Sequence, residues 1–212
     1  MRNRLRLHRL LMLALIWVGI VVLHSWLMTH LAWRRALAQR GFVDEMGAPG
    51  SSERILVVAP HPDDEVLGCG GLIQQAIASG ARIDVALMTN GDASELSVVF
   101  GERELPWSAS AYVELGRRRQ QESLAALASL GLPPERVQFL GYPNNGIVAL
   151  WRPEHWRYGS PYRSPYTRTS FCPYPKAFMP KAPYCGEQAM AGLLALLHQV
   201  RPTAIFVTSP QD

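Results

Sequence analysis

The residues best suited to chemistry lie together in the run His61-Pro62-Asp63-Asp64-Glu65. An imidazole and several carboxylates this close in sequence can bind a metal ion or transfer a proton. Prolines on both sides of His61 restrict the backbone of the turn. We expect His61 and Asp64, three positions apart, to converge on one ion, and nitrogen and oxygen ligands suit zinc. Asp63 would then point elsewhere and be free to accept a proton from water on that ion.

An alternative explanation is that the acidic residues of this run only stabilise the beginning of a helix. Carboxylates at a helix amino-terminus cap free amides and interact favourably with the helix dipole. This explanation accounts for Asp63 or Asp64, and for Glu65. It does not account for a histidine between two prolines at the exit of a strand.

The elements around this run predict a βαβ unit. Residues 55–59 form a short apolar run rich in β-branched side chains, which is typical of a strand buried on both faces of a parallel sheet. A helix is predicted from about Val66 to Ser79, closed by Gly80, and residues 82–89 form the next strand.

The rest of the chain continues the alternation of helices and strands. The sequence next predicts a helix from Ala111 to Leu130 and a strand at 137–140, and then a helix at 187–200 and a strand at 204–208. This pattern predicts an α/β fold with a Rossmann-like, three-layer, mostly parallel sheet. Sites in such folds form at the carboxyl ends of the strands, where the His61–Glu65 run lies.

Between residues 142 and 186, prolines alternate with aromatic residues, so neither a helix nor a strand can run far. Because disordered segments contain few aromatic residues, we expect an ordered flap near the site. Cys172 and Cys185 flank part of this stretch. They would form a disulfide in an oxidising compartment, and two unpaired thiols are the alternative.

The amino-terminal part of the chain predicts a membrane anchor. No charged residue occurs from Leu10 to Trp33, which is long enough to cross a bilayer. A cleaved signal peptide is the alternative, but the small-x-small triplet at residues 36–38 lies beyond an arginine pair. We therefore predict an anchor at 1–33, a linker at 34–53 and a catalytic domain at 54–212.

The basic residues near this apolar stretch indicate its orientation. Four arginines precede it and three follow it, so the amino-terminus is predicted in the cytoplasm and the domain outside it. Because we attribute the net charge of +4 to these flanks, nucleic acid is not predicted as a partner.

Residues 59–65, Ala59-Pro60-His61-Pro62-Asp63-Asp64-Glu65, with the glycines that follow, resemble the signature of the PIG-L (LmbE-like) zinc deacetylases. The resemblance extends from Ile55 to Asp212. Three weaker motifs follow in the same order: Thr89-Asn90-Gly91-Asp92, Arg119-Gln120-Gln121-Glu122 and Leu140-Gly141-Tyr142-Pro143.

This resemblance implies a role for each matched residue. His61 and Asp64 would bind Zn²⁺, Asp63 would be the general base, and Arg119 would contact a substrate carrying an N-acetylated amino sugar. Members of the family often have Asp after the Tyr-Pro pair, where this chain has Asn144, which becomes the candidate substrate-binding residue there. Without the resemblance, Arg119 and Glu122 would be read as a surface pair, and Asn90 and Asp92 as turn residues.

The third zinc ligand is expected from a histidine-rich motif that, in the family resembled, follows a strand like residues 204–208. The sequence stops at Asp212, so we expect a portion of a longer enzyme that by itself binds zinc weakly and has little or no activity. His155 and His198 are not well placed to replace that ligand.

Two other functions compete with a membrane-bound deacetylase. A nucleotide-binding module is disfavoured because Gly68-Cys69-Gly70-Gly71 follows the acidic residues and does not form a phosphate-binding pattern. A catalytically inactive, membrane-tethered sugar-binding protein is the second, and loss of metal ligands would favour it.

Overall fold

The computed structural model describes residues 2–39, 47–98 and 108–208, in two compact units divided after Gly47. The first unit contains α1 (Arg2–Gln39), a single helix of 38 residues. Within it, the 24 residues Met12–Arg35 are long and apolar enough to cross a membrane. At 1.5 Å per residue they span about 36 Å, against about 30 Å for a hydrocarbon core. A signal sequence near an amino-terminus has the same features.

The helix continues into the predicted linker at 34–53. Arg, Ala, Leu and Gln, which make up residues 34–39, all favour helix, so nothing local ends α1 at Trp33. Residues 40–46 of the predicted linker lie outside the described residues.

A four-stranded sheet organises the second unit. Its strands, in chain order, are β1 (Arg54–Ala59), β2 (Arg82–Thr89), β3 (Val137–Tyr142) and β4 (Ala204–Val207). Their spatial order is β3-β2-β1-β4, and every pairing is parallel. The prediction of an α/β fold with a mostly parallel sheet is therefore confirmed.

Helices cover both faces of this sheet. They are α2 (Asp64–Ser79), α3 (Glu95–Ser97), α4 (Ala109–Ser129), α5 (Ile147–Leu150), α6 (Pro153–Trp156) and α7 (Gly186–Val200). Ile73 of α2 and Leu127 of α4 pack on the face that carries Val57 and Val85. Leu196 of α7 packs on the opposite face. Successive strand residues point to opposite faces, which produces the predicted three layers.

The boundaries of several elements differ from those predicted, and the differences at α2 and β3 lie nearest the site. Helix α2 begins at Asp64 rather than Val66, because Asp64 and Glu65 are favourable in a first helical turn. Its carboxyl end matches the prediction, since Gly80 adopts the left-handed conformation, with φ 75°. Strand β3 continues past Leu140 to Tyr142, whose ring is buried and whose hydroxyl donates to Gln188 O.

Residues 143–185, here called the aromatic segment, pack against the sheet as an ordered part of the second unit. The segment contains α5, α6 and an antiparallel bridge between Phe171 and Pro183. Tyr174 and Tyr184 are fully buried in its core. Cys172 and Cys185 are also buried, and neither is in a disulfide, so the alternative of unpaired thiols holds in this structure.

Candidate active site

The side chains of His61 and Asp64 converge at the carboxyl end of β1. His61 Nδ1 lies 3.4 Å from Asp64 Oδ2, and the same oxygen accepts a hydrogen bond from His61 N at 2.9 Å. The two side chains are 47% and 25% exposed, so solvent reaches both. The geometry brings together the pair that the sequence predicts as metal ligands.

Asp63 occupies the amino-terminal cap position of α2 with an unusual backbone. Its φ is 113° and its ψ is −32°, and its side chain makes no capping hydrogen bond. A non-glycine residue in such a conformation costs about 1–3 kcal/mol, and such residues cluster at functional sites. Because the carboxylate is 59% exposed and does not cap the helix, the capping explanation fails for Asp63.

Glu65 stabilises the backbone of this turn. Its Oε2 accepts a hydrogen bond from Asp63 N at 2.9 Å, as the capping explanation requires for this residue. Its side chain also hydrogen-bonds Ser123 of α4, and burial raises the pKa of its carboxyl group. Glu65 therefore joins the amino-terminus of α2 to α4.

Arg119 extends from α4 into the same region. Its Nη2 lies 4.0 Å from Asp63 Oδ2. Its guanidinium group lies against Gly91, where an added Cβ would be only 2.2 Å from Nη1. Gly91 also has a φ of +66°, which disfavours other residues. A glycine at this position thus permits Arg119 to approach Asp63.

A cleft of about 330 Å³ lies between the beginning of α2 and α4. Asp63, Glu65 and Arg119 line it, together with Pro62, Val66, Leu67, Glu122, Ser123 and Ala126. His61 and Asp64 are not among the residues that line this cleft, and they lie beside Asp63 in the same turn of the chain. A substrate in the cleft would contact Asp63 and Arg119 directly.

Asn144 follows β3 and lies beside Asp92. Its backbone N donates to Asp92 Oδ1 at 3.2 Å, and its own Oδ1 accepts from Asn145 N at 3.1 Å. Within the described part of the chain, Asn144 hydrogen-bonds Asp92 and Asn145 and no residue of the His61–Glu65 run. The structure thus brings Arg119, but not Asn144, into contact distance of Asp63.

Asp92 is a buried carboxyl group that joins three segments. Besides the bond from Asn144, it accepts a hydrogen bond from the Tyr174 hydroxyl of the aromatic segment. Burial raises the pKa of Asp92 to about 6, and these two hydrogen bonds oppose the rise. Asp92 therefore connects the exits of β2 and β3 with the aromatic segment.

Asp92, Asn90 and Tyr174 were not among the predicted site residues. Asn90 is fully buried, and within the described residues neither polar atom of its side chain has a hydrogen-bond partner. Polar residues directly after a buried strand were a signal for Asn90 and Asp92, but a turn explains the same pattern. Tyr174 had no distinguishing signal among the many aromatic residues of its segment.

His61 and Asp64 fit two positions of a zinc site in atom type and proximity. The described residues contain no group of three His, Cys, Asp or Glu residues arranged to hold a metal. His155 hydrogen-bonds Ser160 O, with 3.1 Å between Nδ1 and the oxygen. His198 lies in the last turn of α7, near the end of the sheet opposite His61.

Several curated relatives match this second unit. A 1D-myo-inositol 2-acetamido-2-deoxy-alpha-D-glucopyranoside deacetylase from Mycobacterium sp. (strain KMS) is 31% identical over 158 residues, which is 74% of this chain and 43% of the relative. Enzymes of the same description from Actinosynnema mirum and Rhodococcus opacus are 35% and 30% identical, over 72% and 76% of this chain. The chain thus spans less than half the length of these relatives, 46% and 47% for the last two.

Two solved structures are also similar to parts of the chain. The conserved protein TT1542 from Thermus thermophilus is 33% identical, with a TM-score of 0.31, over 45% of this chain and 35% of that one. An N,N'-diacetylchitobiose deacetylase from Pyrococcus horikoshii, complexed with its inhibitor MPG, is 19% identical, with a TM-score of 0.36, over 78% and 58%. The family described as PIG-L: GlcNAc-PI de-N-acetylase matches residues 56–212, and the chain belongs to this PIG-L family.

Proposed function

We propose that this chain belongs to a zinc-dependent hydrolase that removes the acetyl group from an N-acetylglucosaminyl-type substrate. The observation that carries the proposal is the approach of His61 Nδ1 to within 3.4 Å of Asp64 Oδ2, beside an exposed Asp63 carboxylate that lies 4.0 Å from Arg119 Nη2. Membership of the PIG-L family and the names of the relatives, which are deacetylases of acetamido sugars, support it.

The site residues divide the work of amide hydrolysis. His61 and Asp64 would hold a zinc ion, which would supply Lewis acidity toward water and an amide carbonyl. The exposed Asp63 carboxylate accepts the proton of the attacking water, and the amine leaves after protonation as the amide C–N bond breaks. Arg119 lines the same cleft and binds the sugar, since its guanidinium group offers several hydrogen-bond donors. Asn144 contacts the substrate from the exit of β3.

Three substitutions test whether metal binding and proton transfer belong to different residues. We expect His61→Ala or Asp64→Ala to abolish the zinc binding that the unmodified chain shows, because each removes a ligand. Asp63→Asn should keep the zinc and lose turnover by roughly a hundredfold or more, because it removes only the base. Zinc content by elemental analysis and acetate release from N-acetylglucosaminyl substrates measure the two effects.

His198→Ala is the control, because it removes a histidine far from the site. It should change neither the zinc content nor the rate of acetate release. Equal loss of zinc in all three site variants would remove the division of roles. Sugar binding by an unmodified chain that binds no zinc would instead support the inactive, membrane-tethered sugar-binding protein.

We also propose that α1 anchors the protein as a single span, with the second unit on the extracytoplasmic side. Met12–Arg35 supports this by length and composition. The larger number of arginines before the span supports the orientation.

A further inference from the structure

The aromatic segment carries a concentration of positive charge that the sequence interpretation missed when it assigned the basic excess to the flanks of α1. From Trp151 to Lys181 there are six cationic side chains and one acidic side chain, Glu154, and all seven are exposed. The cations are Arg152, Arg157, Arg163, Arg168, Lys176 and Lys181.

Large apolar side chains are exposed in the same segment. Trp151 is 42% exposed, Tyr158 51% and Phe171 50%. The ring centroids of Trp151 and Trp156 lie 5.5 Å apart, so this part of the surface holds two indoles side by side. Exposed apolar patches rimmed by polar residues often mark sites of interaction with proteins or membranes.

Backbone hydrogen bonds bring separate parts of this segment next to one another. Tyr162 N donates to Tyr184 O at 2.7 Å, and Tyr184 N donates to Ser170 O at 2.9 Å. These contacts, with the Phe171–Pro183 bridge, place the backbones next to Arg163, Phe171 and Lys181 side by side. At the start of α7, Glu187 then accepts from Arg157 Nη1 at 3.1 Å and from Tyr158 N at 3.0 Å.

We infer that this cationic-aromatic surface, defined by Trp151, Arg152, Tyr158, Arg163, Phe171 and Lys181, docks on an anionic membrane surface. Aromatic rings favour the membrane interface, and each cation near anionic headgroups contributes roughly fivefold to the partition. The choice of a membrane over another polyanion rests on the proposed anchor α1, because a tether raises the local concentration of lipid at the domain.

Docking would act on the site through the aromatic segment. The ring of Tyr162 lies against Gly146, where an added Cβ would be 2.6 Å from Cε1, and Gly146 closely follows Asn144. The Tyr174 hydroxyl of the same segment holds Asp92. The segment that carries this surface therefore packs, through Tyr162 and Tyr174, against the loop that holds the predicted substrate contact.

Hydrogen exchange of the full chain, mixed with vesicles of phosphatidylcholine alone or with phosphatidylglycerol added, tests this inference. We expect protection of residues 151–181 only with the anionic vesicles. The variant Arg152→Gln, Arg163→Gln, Lys181→Gln should reduce the docked population roughly a hundredfold, from roughly fivefold per cation. If α1 does not insert into the vesicles, the fraction of the chain that binds to them should show the same dependence on anionic lipid and on these three substitutions.

The matched control is Gln74→Glu, Gln75→Glu, Gln199→Glu, which makes the same change in net charge at exposed positions of α2 and α7. In this control variant, anionic vesicles should still protect residues 151–181 from exchange. Equal protection in both lipids, or equal loss in both variants, would overturn the inference. If added RNA protects residues 151–181 in the presence of neutral vesicles, and anionic vesicles do not protect them, the surface binds nucleic acid. That result would also overturn the inference. Zinc content and acetate release, measured in detergent, report the proposed function separately.

Discussion

At the scale of single residues, the buried carboxyl group of Asp92 makes a prediction about pH. Burial raises its pKa from 3.8 to about 6, so in that interval the folded chain keeps a proton that the unfolded chain has released. Stability should therefore fall as the pH rises from about 4 to about 6, by about 3 kcal/mol from this group. Asp92→Asn removes the ionisation, so the unfolding free energy of the wild type minus that of Asp92→Asn should decrease over that range.

Urea denaturation of the chain in chelator, repeated at several pH values, measures this difference. Tyr174→Phe is the informative companion, because the Tyr174 hydroxyl lowers the pKa of Asp92. Its loss should move the transition to higher pH. A difference between wild type and Asp92→Asn that does not vary with pH would show that Asp92 does not titrate in this range.

The contact between Gly91 and Arg119 predicts how the site is assembled. Gly91→Ala forces a Cβ to within 2.2 Å of Arg119 Nη1, so it should displace the guanidinium group from Asp63. We expect deacetylation to fall at least roughly tenfold, the change that corresponds to 1.4 kcal/mol of lost transition-state stabilisation. Steady-state acetate release measures it.

Gly80→Ala is a matched control, because Gly80 has a similar φ of +75° but its nearest neighbour would be 3.9 Å from an added Cβ. Both variants carry a backbone strain of about 1 kcal/mol. Only Gly91→Ala should lose activity. A similar loss in both would mean that general destabilisation, and not Arg119, is responsible.

At the scale of elements, α4 meets the aromatic segment at Gly116. An added Cβ there would lie 2.3 Å from the Tyr174 hydroxyl oxygen and 2.8 Å from its Cζ. Alanine favours a helix over glycine by about 1 kcal/mol, but overpacking costs about 1–3 kcal/mol and also disturbs the hydrogen bond to Asp92. We therefore expect Gly116→Ala to lower the free energy of unfolding, as measured by urea denaturation.

The control at this scale is Gly71→Ala in α2, where an added Cβ would have no neighbour within 4 Å. It should stabilise the protein by up to about 1 kcal/mol, because only helix propensity changes. If Gly116→Ala stabilised the protein equally, the packing of Tyr174 on α4 would not constrain the segment.

At the scale of the whole molecule, the proposed anchor predicts topology. A reporter that is active only outside the cytoplasm, fused after Ser52, should be active, because four arginines precede the apolar stretch. The mature protein should also keep its amino-terminus, as read by intact mass. Activity of a cytoplasm-only reporter would reverse the orientation, and a shortened mass would favour the cleaved signal peptide.

The sequence alone determined the elements and the first motif. Continuous apolar runs, helical spacing and the glycine at position 80 are local signals, so β1, β2, α2 and α7 could be predicted within two residues of their ends. The pairing of His61 with Asp64 was predictable for the same reason, because three residues separate them and rigid prolines flank the histidine.

Only the tertiary structure decided which distant residues meet. Asp92 and Tyr174 are 82 positions apart, and nothing in the composition of the aromatic segment distinguishes the one tyrosine that reaches a buried carboxyl group. The positive φ of Asp63, the approach of Arg119 over Gly91 and the exposure of the cations in the aromatic segment also depend on packing between elements. Local periodicity specifies which face of an element is buried, whereas contacts across the chain depend on how those faces pack together.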